Sequence, residues 1–331
     1  MSTDAGVRRH GYEGTFRVAV VGVGDHATSV LIPLIREAGF DIVATCARRR
    51  SSADAAAAKF RIAAAYDSVP EMLEGTSPDA VIAAVPPAAY SEVVRACIER
   101  GVPVLAEKPG AVDAHEAEEL ADLSLARGVP VMVGYMKRFA PAYRQARAVI
   151  EDAAFGSASL ATFVFVMGDF ETDFRNYLID NTVHHLDLAR FLLGELGEVH
   201  ARRRPSFGGR HAVAVMATSE SGALVSFQFG STGSWFQRNE WVEIVGEGAS
   251  VNVDNVDTCV YRPGSRPEQV WRPNYSIPLE GNLTSTTLGF LPELLHFRDV
   301  VAGSAVCESS LESASRTLLL LRQVEKVLAL T

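Results

Sequence analysis

The chain of 331 residues is long enough for about two domains, and its hydrophobic content of 48% suits sizeable globular cores. A net charge of −9, from 31 basic and 40 acidic side chains, argues against a general binder of nucleic acid or of an anionic membrane. The four cysteines, Cys46, Cys97, Cys259 and Cys307, are far apart and form no Cys-x-x-Cys pair. They read as small apolar residues of a reducing compartment. Stretch 1–14 is polar, and its Arg8-Arg9 pair is followed by no apolar signal segment. No run approaches the roughly 18–20 apolar residues of a membrane span. A flexible tail over 1–15 and a cytoplasmic location are therefore expected.

The apolar run 16–21 stops at Gly22. Gly24 follows, and Ala27 stands where a third glycine would complete the pattern. An amphipathic stretch, 28–38, comes next. Strand, tight turn and helix start make the phosphate-cradling turn of a dinucleotide-binding βαβ unit. In such a turn, Gly22 allows the bend and Gly24 lets backbone approach a pyrophosphate. Asp25 and His26 complete the turn, and Ala27 lets helix pack close to strand. Free N–H groups at the helix start face the phosphates. The same pattern also occurs in strand–helix units that bind nothing. Pro33 predicts a kink in the first helix, since an interior proline costs ~3 kcal/mol.

A second buried strand is expected over 41–47, then an alanine-rich helix over 52–60, a short strand over 63–66 and a short helix from Ser68. Strand 79–85 is stopped by Pro86-Pro87, and helix 91–100 by Gly101. Strand 102–106 runs into Glu107-Lys108-Pro109. Helix 115–127 and strand 130–135 follow. This alternation predicts an α/β fold with a parallel, doubly wound sheet whose ligand loops lie at the carboxyl ends of the strands. At the end of the second strand, Ala47 stands where an NAD-preferring unit places a carboxylate for the ribose 2′-hydroxyl. Arg48-Arg49-Arg50-Ser51 follow it. Guanidinium groups attract a 2′-phosphate, so NADP(H) is preferred over NAD(H). A solvated, charged helix start is the alternative.

The character of the chain changes near Lys137. A helix over 141–151 leads to β-branched and aromatic runs at 159–167, 199–204, 212–218, 223–229, 241–245 and 259–262. A helix over 183–193 is set among them, and Glu247-Gly248 makes a hairpin turn. This is the pattern of an α+β domain with an open, mostly antiparallel sheet, one face of which needs cover from helices or another subunit. Helices over 287–301 and 311–330 close the chain, the second opened by a Ser309/Glu312 capping box. The expected division is a dinucleotide-binding domain over 16–137 and a substrate-binding and oligomerisation domain over 138–331. Helix 309–330 is expected to pack back on the first.

Two places could carry chemistry. Lys108 follows a buried strand on rigid backbone, and in an enclosed pocket it could polarise a substrate oxygen. A solvated lysine in a turn is the alternative. Asp180 and His184 are four apart, so both point to one side of a helix start. A carboxylate near a histidine fixes its tautomer and raises its basicity, which suits proton transfer near neutral pH. The alternative is an Asp180 that only caps the helix beside a structural His184. His184, His185 and Asp187 do not match a His-Glu-x-x-His metal motif, so no metal is expected. There is no nucleophile elbow and no Gly-x-x-x-x-Gly-Lys loop.

Together these stretches resemble the glucose-fructose oxidoreductase, inositol dehydrogenase and MocA family (Gfo/Idh/MocA). The matching order is Gly22-Val-Gly-Asp-His-Ala27, the strand before Pro86-Pro87, and Gly101-Val-Pro-Val-Leu-Ala-Glu-Lys-Pro109. It goes on with Gly134-Tyr-Met-Lys-Arg-Phe-Ala-Pro-Ala-Tyr143, the stretch from Asp180 to Gly194, and Glu243-Ile-Val-Gly-Glu-Gly-Ala249. The resemblance implies a Rossmann domain followed by an α/β domain whose open sheet forms homodimers or homotetramers. It implies hydride transfer between NAD(P) and a carbohydrate or polyol carbon. By it, Lys108 polarises the substrate oxygen, His184 donates or accepts the proton, and Asp180 orients them. Cofactor contacts are then expected at Gly22, Gly24, Asp25, His26, Ala27, Ala47, Arg48, Arg49, Pro86, Pro87, Glu107 and Lys108.

Two departures stand out. The lead-in Phe174-Arg-Asn-Tyr-Leu-Ile-Asp180 is bulky where the family is often glycine-rich. This makes Arg175 and Tyr177 candidate substrate contacts, with Arg138 and Trp235. Pro86-Pro87-Ala-Ala-Tyr90 replaces the more usual Pro-x-x-x-His, so Tyr90 is a candidate to lie over the cofactor. The expected activity is NADP(H)-dependent reduction of a keto-sugar. A polyol or inositol-type dehydrogenase, or an enzyme that recycles tightly bound NAD, is the alternative. A linear tetrapyrrole is a further candidate substrate, compatible with Phe170, Phe174 and Trp235. A non-catalytic dinucleotide-binding regulator is the rival from another class.

Overall fold

The computed structural model describes residues 15–168, 173–234, 239–277 and 279–330. Residues 1–14 of the expected tail over 1–15, with Phe170 and Trp235, lie outside these residues. The described residues pack as two compact units. One falls within Met1–Tyr135 and Phe290–Arg316, the other within Met136–Gly289 and Thr317–Thr331.

In the first unit, strands β1 (Arg17–Val21), β2 (Asp41–Cys46), β3 (Ala64–Tyr66), β4 (Ala80–Ala83), β5 (Val104–Glu107) and β6 (Val131–Gly134) form one sheet. All its pairings are parallel, in the order β3-β2-β1-β4-β5-β6. This is the doubly wound order whose direction reverses between β1 and β4, and ligands bind at such a reversal. Val18, Ala19 and Val20 of β1 and Ala80 and Val81 of β4 are completely buried. Central strands covered on both faces read as continuous apolar runs, and that is why they were legible. Helices Arg50–Phe60, Val69–Thr76, Tyr90–Glu99 and Ala114–Arg127 fill the crossovers. The last opens on a reciprocal cap. Glu116 N–H donates to Asp113 Oδ1 at 3.0 Å, and Val112 N–H donates to Glu116 Oε2 at 2.7 Å.

Two local expectations are corrected. The stretch after the glycine turn is a π-turn, Ala27–Leu31, running into an α-helix, Ile32–Glu37. Pro33 stands inside a helical run that is continuous from Asp25 to Glu37, and the π-turn just before it accommodates the N–H that proline lacks. The final helix, Leu311–Val327, is capped by Ser310, whose Oγ accepts from Ser313 N–H at 3.3 Å. Ser309 does not cap it. Its hydroxyl donates to Val133 O at 2.6 Å and its carbonyl accepts from Val133 N–H at 2.7 Å, which closes the exposed edge of β6. Helix Phe290–Val301 also belongs to this unit. It packs Phe297 against Phe40, and Arg298 donates to Ala38 O at 2.9 Å.

The second unit is built on β7 (Leu160–Val166), β8 (Leu196–Pro205), β9 (His211–Ser219), β10 (Leu224–Gly230), β11 (Asn239–Val245), β12 (Ala249–Asp254), β13 (Thr258–Pro263) and β14 (Gln269–Trp271). Their order is β14-β13-β12-β11-β7-β10-β9-β8, with only β7 and β10 parallel. Sequence reading missed β12 and β14. The alternation of β12 is broken by Asn252, which is buried and accepts from Arg262 at 2.5 Å. Along β7 and β10, Ala161, Phe163, Phe165, Phe227 and Phe229 face a core in which Phe163 and Phe227 stack at 5.1 Å. Leu160, Met216 and Leu224 are exposed. No helix among the described residues is long and apolar enough to cross a membrane.

Gly22 has φ +88°, and a Cβ there would meet Ala84 O at 2.1 Å; at Gly24 a Cβ would meet nothing within 4 Å. Gly22→Ala should therefore cost about 2–6 kcal/mol, from backbone strain and overpacking together. Gly24→Ala should stay within about 1 kcal/mol of the parent. Urea denaturation of the two variants checks this, and equal stabilities would contradict it.

Candidate functional site

The carboxyl ends of β1, β2 and β4 open on one cleft of about 990 Å³, entirely within the first unit. Gly22, Gly24, Asp25, His26, Ala27, Ala47, Arg48, Arg49 and Pro86 line it, so the structure brings together most of the expected cofactor contacts. Gly22 makes the turn, its N–H bound to Cys46 O at 2.8 Å. Gly24 faces open space where a side chain would intrude. The first turn of the following helix has N–H groups without intrahelical acceptors, aimed where phosphates bind. Arg48 and Arg49 are exposed on the wall, whereas Arg50 is drawn aside to Asp54 at 3.0 Å. A dinucleotide fits these residues. Its pyrophosphate would be held at the Gly22–Gly24 turn and its adenosine end beside Arg48 and Arg49.

Other expected contacts are placed differently. Tyr90 is buried, and its hydroxyl donates to Lys108 O at 3.1 Å, so it supports the end of β5 instead of lying over the cleft. Glu107 is also a supporting group. Its Oε1 is 3.0 Å from His26 Nε2, and its Oε2 accepts from Lys108 N–H at 3.2 Å. Gly134 leaves room for it, since a Cβ there would come within 3.2 Å of Glu107 Oε2. Lys108 is thus half-buried with its backbone held by Tyr90 from one side and Glu107 from the other. Pro87 opens a 3-10 turn, Pro87–Ala89, and is not among the residues lining the cleft.

In the second unit a continuous helical run carries the Asp-x-x-x-His pair. It starts as Phe174–Tyr177, passes through a π-turn, Leu178–Thr182, and continues as Val183–Leu193. Asp180 lies inside the π-turn and is exposed, so it is not a helix cap. His184, in the first turn of the α-helix, is half-buried. Three expected substrate contacts are engaged elsewhere. Arg138 is buried and forks onto Asp187, Nε to Oδ2 at 2.6 Å and Nη2 to Oδ1 at 2.5 Å. Arg175 donates to the buried Glu325 at 3.0 Å. Tyr177 is buried beside Phe174, and burial pushes its phenol well above the ordinary range. Trp235 lies outside the described residues.

Residues 16–135 match the model for an oxidoreductase family with an NAD-binding Rossmann fold, and residues 143–252 match the Gfo/Idh/MocA C-terminal domain. The chain belongs to the Gfo/Idh/MocA family. It is 31% identical over 186 residues to inositol 2-dehydrogenase 4 of Saccharopolyspora erythraea, a match covering 54% of each chain. That match therefore spans about half the length of the relative. Inositol 2-dehydrogenase 2 of the same organism is 26% identical over 324 residues, covering 91% of this chain and 94% of that one. A dehydrogenase from Chromobacterium violaceum has the same fold, with a TM-score of 0.84 at 22% identity over 94% of this chain and 95% of that one.

Sequence reading missed most of the buried charge of this Gfo/Idh/MocA chain. Glu240 Oε1 accepts from Lys137 Nζ at 2.5 Å and from Tyr143 Oη at 2.7 Å, with His185 Nε2 at 3.4 Å. Burial alone would raise the Glu240 carboxyl, but the Lys137 ammonium holds it well below the ordinary range. A second cluster joins the Arg138–Asp187 fork to Thr317, whose hydroxyl donates to Asp187 at 3.0 Å and accepts from Arg190 at 2.6 Å. Arg190 also forks onto Glu195. The available signal was His185, Asp187 and Arg190 on an otherwise apolar helix. A charge in such a stretch implies a buried partner.

His185 is completely buried, which depresses its pKa below the ordinary 6.5 despite the opposing pull of Glu240. A histidine kept neutral in the fold contributes stability that is present above pH 6.5 and lost as pH falls below it. The chain should thus be less stable to urea at pH 5 than at pH 7.5. His185→Gln should narrow that difference, the remainder including His211, whose pKa is also lowered by burial and then by Arg203. An undiminished difference in the variant would contradict the assignment.

Proposed function

We propose that this chain is an NADP(H)-linked oxidoreductase interconverting a secondary alcohol and a ketone on a polyol or sugar-like substrate. The observation that carries this is the double support of Lys108 at the end of β5, by the Tyr90 hydroxyl and the Glu107 carboxylate. A backbone held at both its N–H and its carbonyl fixes where the Lys108 side chain starts, within reach of a substrate oxygen on which charge develops. The cofactor, when bound, supplies or receives the hydride. Lys108 polarises the substrate oxygen, His184 gives or takes its proton, and Asp180 keeps His184 oriented and basic. The exposed pair Arg48 and Arg49, with Ala47 in the place of a carboxylate, supports the phosphorylated cofactor. The relatives named as inositol 2-dehydrogenases support a polyol as substrate, and reduction of a keto-sugar is the same chemistry run backwards.

Lys108→Met should lower kcat by a factor of ~10² or more while NADPH affinity stays within about threefold. A panel of inositols, polyols and keto-sugars, assayed by nicotinamide absorbance with both cofactors, checks this. Undiminished turnover in the variant would remove Lys108 from the mechanism. Tight NADPH binding by the parent with no turnover on any member would favour a binding protein instead.

A further inference from the structure

In this chain the carboxylate missing from the end of β2 reappears one strand away. β2 and β3 run parallel with Cys46 beside Tyr66, and Ala47 N–H donates to Tyr66 O at 3.1 Å. The next residue along β3 is Asp67. Neighbouring strands are ~4.8 Å apart, so Ala47 and Asp67 are adjacent on the carboxyl rim of the sheet. Both line the cleft, together with Arg48, Arg49 and Ser52. Asp67 is exposed there. Its charge is felt at the end of β2: after burial, it is the cause that pushes the Cys46 thiol up, to about 11. The adenosine end of the cleft therefore has two guanidinium groups and a carboxylate facing one space.

A ribose with a free 2′-hydroxyl and one with a 2′-phosphate make opposite demands on such a space. A carboxylate accepts strong hydrogen bonds from ribose hydroxyls and repels a phosphate. Guanidinium groups do the reverse. We propose that Asp67 is a specificity residue that recognises the adenosine ribose of NAD(H), and that with Arg48 and Arg49 opposing it the chain binds both NAD(H) and NADP(H). This rests on the dinucleotide assignment of the cleft. It differs from that assignment in placing the NAD-selective group on the loop after β3.

The test is calorimetric titration of NADH and of NADPH into the full chain, as parent, as Asp67→Asn and as Arg48→Ala/Arg49→Ala. Asp67→Asn should weaken NADH about tenfold and leave NADPH unchanged or tighter, moving the affinity ratio at least tenfold towards NADPH. The arginine double variant should move it the other way. An equal loss for both cofactors in Asp67→Asn would show a structural or adenine-contacting role, and no change would show no role; either overturns the proposal. Binding needs no substrate, so failure of the proposed redox activity leaves these outcomes readable. A parent chain that binds neither cofactor would overturn the dinucleotide assignment itself.

Discussion

The first unit depends on a close passage of backbone. Gly22, at the end of β1, runs so near the Ala84 carbonyl after β4 that no side chain fits between them, and its φ of +88° excludes most other residues as well. These two strands flank the point where the sheet order reverses. Their carboxyl ends diverge there and leave a cleft that neither strand could form alone. The cleft wall is assembled around this passage. Gly24 and His26 follow it in the same turn, Arg48 and Asp67 come from the strands on one side, and Pro86 from the other.

The second unit is held differently. Its helical run leaves Asp180 exposed and His184 half-buried, while His185, Asp187 and Arg190 turn inward to two clusters of buried charge. Breaking such a pair by removing one partner typically costs about 3–5 kcal/mol, because the other charge is left buried and alone. The clusters therefore tie the helix to the turn Met136–Phe139 through Arg138 and to β11 through Glu240.

That explains where the sequence was legible. The Rossmann unit could be read almost residue by residue, because its central strands are continuous apolar runs and its turns are marked by Gly22, Pro86-Pro87 and Gly128. The cleft was legible for the same reason. β12 was hidden because Asn252 is polar yet buried, and β14 because it is three residues long. The protein partners of Arg138, Arg175 and Tyr177 were not legible because a charged or phenolic side chain near a candidate site looks the same in sequence whether it meets a ligand or a buried partner. Glu240 lies 103 residues from Lys137 and Asp187 lies 49 residues from Arg138, and no local pattern links either pair. Asp67 was passed over because its relation to Ala47 exists only across neighbouring strands.

The most direct measurement follows the hydride itself. NADPH carrying deuterium at the transferring position of the nicotinamide is incubated with the chain and the ketone of an accepted polyol. The product is then analysed by mass spectrometry. One deuterium bound to the new carbinol carbon is expected. Product with no label at that carbon would contradict it.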